Sequence, residues 1–194
     1  VVDSIQTVSA AVDPPHPPDA DITVLGEPLA PGELFEKLDM VLSAAARYTR
    51  QMPMDRLKMF FRNRERTIAD TCYHTFRVSL MGVDSLEGRG FTNAGLTELA
   101  PADWGFNQIA DWGLGVRDHI RSWRKDNPQA DLKNLVETYY GTRTLHDIMD
   151  RTTYHSAQHM RQLMLMLEEF GVTVDQPVTM EDLKGVPVPE AAWG

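Results

Sequence analysis

Residues 144–171 read TLHDIMDRTTYHSAQHMRQLMLMLEEFG. Thr144 stands three residues before Asp147, in the manner of an N-terminal capping box, and Gly171 offers the left-handed residue that commonly follows a helix. Between them Leu145, Ile148, Met149, Thr152, Met160, Leu163, Met166, Leu167 and Phe170 recur at helical spacing, so one long amphipathic helix is expected. His155 and His159 lie on that stripe. Four helical residues advance the azimuth by only about 40° beyond a full turn, so both imidazoles share the inward face. An unpartnered imidazole is costly to bury there, and something must satisfy the pair.

Working upstream, GELFEKLDMVLSAAARYTRQM (32–52) predicts a first helix with Leu34, Leu38, Val41, Leu42, Ala45 and Tyr48 inward and Pro53 as its stop. A second helix is predicted over about 54–81, with a break near RNRER (62–66), followed by a Gly-rich loop from Gly82. A third covers 107–126, closed by Asn127-Pro128; Gly113 and Gly115 either weaken it or mark close packing. A connection containing Tyr139, Tyr140 and Gly141 leads to the helix quoted above. No run alternates with period two for long enough to predict a sheet, and no internal repeat is visible. The expected architecture is all-α: an antiparallel four-helix bundle over 32–172 with a long crossover loop. A proline-rich tail or linker at 1–31, containing DPPHPPDAD (13–21), and an irregular surface tail at 173–194 flank it.

The chain has 194 residues, 42% of them apolar and 24% charged, as in ordinary globular proteins, and it has enough length to bury a core. A net charge of −9 speaks against nucleic acid and anionic membrane surfaces as partners. No apolar run approaches a membrane span. The single cysteine, Cys72, rules out an internal disulfide framework and suits a reducing cytoplasm; its ordinary reading is an apolar filler. Val1–Ala11 reads poorly as a secretory signal, and the start at Val1 leaves room for a longer natural chain.

Two histidines on one helix face suit Zn, Ni, Cu or Fe(II). The metalloprotease reading of the spacing fails, because position 156 is Ser where that helix needs Glu. A third ligand must come from elsewhere. His146 faces away from His155, His119 sits among charged residues, and His16 lies in the proline tail. His74, late in the second helix, is the best remaining candidate. Three histidines would leave positions open for water or substrate, as catalytic rather than closed structural sites do. Asp70, one turn before His74, and Thr152, near His155, are placed to orient the ligands. Arg143 and Arg161 could bind a substrate carboxylate, against an ordinary reading as surface charge. The methionines 160, 164 and 166 follow simple helical spacing and read as core.

TIADTCYHTFRVSL (67–80), followed some eighty residues later by YHSAQHMRQL, resembles the DinB-like (DinB/YfiT) superfamily over roughly residues 32–172. Its members share a four-helix bundle and an H…H-x3-H metal triad, with a last helix of the kind H-x3-H-R-G-Q-[LIV]. Here Gln162-Leu163 agrees with that pattern, while Met160-Arg161 departs from its R-G pair and marks a divergent branch. The resemblance implies His74, His155 and His159 as ligands of one divalent metal, Zn or Ni foremost and Fe as a further choice. It also implies transfer of a low-molecular-weight thiol such as glutathione, bacillithiol or mycothiol to a small electrophile, or thiol-dependent isomerisation. A cation lowers the pKa of the thiol or water it binds, so metal-dependent hydrolysis is the runner-up. A metal-stapled binding or interaction module without catalysis is a third reading. A small-molecule substrate, a cytoplasmic setting and a homodimer are the accompanying expectations.

Overall fold

A computed structural model describes residues 22–23 and 29–193; the proline-rich segment 13–21 and most of the expected N-terminal tail lie outside the described residues. Four long helices carry the core: α1 (Pro31–Gln51), α2 (Ile68–Leu86), α4 (Phe106–Asp126) and α5 (Leu145–Glu169), with a one-turn α3 (Asn93–Leu96) between the middle pair. Each long helix buries the face that its periodicity dictates. On α1 that face is Leu34, Leu38, Val41, Leu42, Ala45 and Tyr48, all essentially inaccessible. α1 packs on α4 and α5, and α2 packs on the same two helices, so α1 and α2 sit diagonally across the bundle. Two glycines set how closely the layers approach. A Cβ on Gly113 of α4 would fall 2.5 Å from the Phe76 ring, and one on Gly82 of α2 would fall 3.0 Å from Thr152 Oγ1 of α5.

Three stretches depart from the sequence expectation. The second helix does not start near residue 54. Met54–Arg56 forms a single 3-10 turn, Arg62 adopts a left-handed φ of 53°, and Phe60 bridges Thr67 before α2 begins. Thr67 caps α2 by accepting from the Asp70 amide at 3.1 Å. The same helix runs past residue 81 to Leu86, with Gly82 lying inside it against Thr152 of α5. The connection before α5 holds an antiparallel hairpin, β2 (Leu135–Thr138) with β3 (Gly141–Thr144), which enters α5 through the Thr144–Asp147 capping box. Four residues per strand are too few to show in a period-two pattern.

The C-terminal segment is also more than a surface tail. It runs along α1, where Arg47 donates to the Asp175 and Gln176 carbonyls and Tyr48 Oη accepts from the Val178 amide. Leu183, Val186 and Val188 enter the core, and Val188–Pro189 (β4) pairs with Ile22–Thr23 (β1). Among the described residues no helix is long and apolar enough to cross a membrane.

Candidate metal centre

α2 and α5 bring three histidines to one point. Thr67 and Thr144 fix where each helix begins, and hence which residues face inward. His74 is buried on α2; His159 is buried and His155 partly exposed on α5. His155 Nε2 lies 3.2 Å from His74 Nε2 and 2.9 Å from His159 Nε2. The ring centroids are 4.7 to 5.3 Å apart. The three ligand atoms fall within 4.8 Å of one another, so the sequence-expected set His74, His155 and His159 is brought together.

One of the three rings is held so that a lone pair, rather than a proton, faces the centre. His159 Nδ1 donates to the buried Gln162 Oε1 at 2.8 Å, which leaves its Nε2 as the bare nitrogen. Burial pushes His74 well below the ordinary histidine range, and the neighbouring His159 and His155 push it further. Burial likewise lowers His155, followed by the effects of His159 and of Arg151, Arg66 and Arg64. Both rings are therefore neutral near pH 7, the form that coordinates metal. Three neutral imidazoles can place at most one proton between each pair, and His74 Nδ1 is itself buried without a well-formed hydrogen bond. Nitrogens about 2.0–2.1 Å from one tetrahedral ion lie roughly 3.3 Å apart, close to the observed 2.9 and 3.2 Å. The donor set thus fits a divalent transition metal, with His155 the least buried of the three residues.

The other expected residues divide. Asp70 does not orient a ligand: its carboxylate accepts from Thr67 Oγ1 at 2.5 Å and from the Ala100 amide at 3.1 Å, which caps α2 and ties down the following connection. Thr152 Oγ1 is buried beside Gly82 and makes no hydrogen bond. Gln162 performs the orienting role instead. Its signal was its place three residues after His159, one turn along the same face. Arg161 is not surface charge but is buried, donating to the carbonyls of Pro189 and Glu190 and so holding the C-terminal segment. Arg143 is exposed and lies over the Tyr140 ring. His119 pairs with Glu87 on the surface at 2.8 Å, and the partly buried His146 reaches the Leu29 carbonyl rather than facing solvent. Cys72 is fully buried, its thiol pushed up to about 12, which fits packing and not nucleophilic chemistry. His16 lies outside the described residues.

No protein-family model matches this chain, and no curated protein matches it.

Proposed function

We propose that this chain is a DinB-like metalloprotein in which His74, His155 and His159 hold one divalent metal, Zn or Ni foremost. The reaction we assign is transfer of a low-molecular-weight thiol such as glutathione to a small electrophile, or thiol-dependent isomerisation of one. The observation that carries this reading is the convergence of the three imidazoles, with His155 the least buried of the three residues. A closed structural site uses four protein ligands, whereas three histidines and an accessible side are the pattern of catalytic centres. A divalent ion in this setting supplies Lewis acidity and lowers the pKa of a bound thiol or water.

The chain's own residues supply position and dryness. Gln162 fixes the tautomer and tilt of His159, and burial keeps His74 neutral at its resting place between the helices. The close approach of α2 to α5 at Gly82 brings together the two helices that carry the triad. The place of the triad on the second and last long helices of the bundle supports the DinB-like assignment.

The test is elemental analysis of the purified full chain, followed by a thiol-transfer screen with glutathione and 1-chloro-2,4-dinitrobenzene after loading with Zn(II) or Ni(II). The expected result is one metal per chain, with turnover that disappears in His74→Ala while the circular dichroism of the fold persists. Metal binding without turnover for any thiol, together with collapse of the fold on chelation, would support the metal-stapled module instead.

A further inference from the structure

The chain is acidic overall, yet the charged groups that bear on the triad are basic. Besides His159, His155 feels Arg151, Arg66 and Arg64, and His74 feels Arg66. These arginines come from two separate elements. Arg64 and Arg66 lie on the connection before α2, where Arg64 covers the Trp193 ring at 5.1 Å and Arg66 donates to the Leu96 carbonyl at 3.4 Å. Arg151 lies on α5 one turn before His155, so the two side chains leave the helix on the same face, about 6 Å apart along the axis.

Arg151 is held but not neutralised. Its guanidinium sits over the Tyr140 ring at 4.7 Å and the Tyr139 ring at 6.0 Å, and its Nη2 donates to the Tyr139 hydroxyl at 3.2 Å. Among the described residues no carboxylate pairs with it; the ion pairs found there involve other side chains. Its Nη1 is shut off from solvent without a hydrogen bond, and so is the hydroxyl of Tyr140 beside it. Two donors on neighbouring side chains, one of them the cationic Arg151 one turn before His155, are thus left unsatisfied. Buried donors without acceptors are costly, and the planar fork of a guanidinium matches a carboxylate.

We propose that Arg151, with the Tyr140 hydroxyl, anchors a carboxylate group of the small molecule on which the triad acts. This rests on the metal-centre reading for what happens beside the anchor. The substrate class it assigns is a small organic anion whose carboxylate is separated from the reacting atom by a short carbon chain, the reach from Arg151 to His155. Arg66 and Arg64 add to the field that draws such an anion in. The stacked tyrosines fix the guanidinium plane in advance, so little freedom is lost on binding.

The experiment titrates the full chain, Zn(II)-loaded and metal-free, with succinate, its neutral analogue succinamide, and inorganic phosphate, by calorimetry and by NMR of the arginine side chains. Succinate is expected to bind, succinamide not to, and Arg151→Gln to weaken succinate about 10- to 100-fold with zinc stoichiometry and melting unchanged. Equal succinate affinity in Arg151→Gln and the parent, equal binding of succinamide, or tighter binding of phosphate would overturn the proposal. On the unaltered chain the Arg151 guanidinium signals are expected to shift with succinate, so a variant that fails to fold does not spare the proposal; no shift overturns it. Loss of zinc binding by the unaltered chain would sink the metal reading alone, because the succinate series on metal-free protein still decides the anchor.

Discussion

The α2–α5 interface contains two buried polar clusters, and they are built on opposite principles. In one, Ser79 and Ser156 share a hydrogen bond of 2.8 Å and Ser156 Oγ donates to the Thr75 carbonyl at 3.1 Å. Every hydroxyl brings its own partner, and the cluster is complete within the protein. In the other, three histidines turn like atoms toward one another, and His159 is held on its outer side by Gln162. Both clusters use the same pair of helices and lie within a turn or two of each other. A buried polar cluster that is complete within the protein needs no ligand, whereas three imidazoles that face one another can be satisfied by a shared cation. The contrast between them is what makes the histidines the candidate metal site.

The comparison can be broken first at the histidines. Replacing His74 or His159 with Ala is expected to lower zinc affinity by more than the roughly 10–100-fold that loss of an outer partner costs, read by competition with a chelating dye. Removing the outer partner itself, Gln162→Leu, should give a loss inside that 10–100-fold range while thermal melting of the metal-free chain changes little. A loss as large as that of His74→Ala would mean Gln162 is itself a ligand.

The serine cluster should behave the other way round. Ser156→Ala leaves the zinc affinity as it is and costs stability, about 1–3 kcal/mol by denaturant unfolding, because Ser79 loses its partner. The double change Ser79→Ala with Ser156→Ala is expected to recover part of that cost, since no orphan remains. Gly113→Ala, which thrusts a methyl into Phe76, costs about the same 1–3 kcal/mol. Gly115→Ala meets nothing and should stabilise α4 by up to about 1 kcal/mol.

A smaller effect follows from charge. His74 and His155 are held below the ordinary histidine value in the folded chain, so the unfolded chain takes up their protons first as pH falls past about 6.5. Their neutral burial therefore costs nothing extra above that pH, and metal-free protein loses stability progressively below it. Urea midpoints between pH 8 and 5 check this, and the fall should be shallower in a variant carrying His74→Phe and His155→Phe. An identical slope in that variant would place the titration elsewhere.

What the sequence disclosed depended on how far each signal reached along the chain. Spacing within α5 was enough to put His155 and His159 on one face, because helical geometry is local. His74 needed a second helix, and its share in the triad became definite only when α2 and α5 met at Gly82. Thr67 with Asp70 carries the same capping signal as Thr144 with Asp147, yet Asp70 read as a candidate partner of His74 because it lies one turn away. The capping bond wins, being local and free of any tertiary requirement. The hairpin at 135–144 left no mark in periodicity because its strands are only four residues long, and the grip of Arg161 on the Pro189 and Glu190 carbonyls left none because it joins distant segments. Gln162 stood in view beside His159, but an amide three residues on is an ordinary helix residue until the imidazole it holds is seen to have a purpose.

The most direct test of the central claim is X-ray absorption at the zinc edge of the Zn(II)-loaded full chain, beside His74→Ala. The expected result is a nitrogen–oxygen shell near 2.0–2.1 Å with the scattering of three imidazoles, reduced to two in the variant. A spectrum with no imidazole scattering, or with the same imidazole count in both proteins, would contradict it.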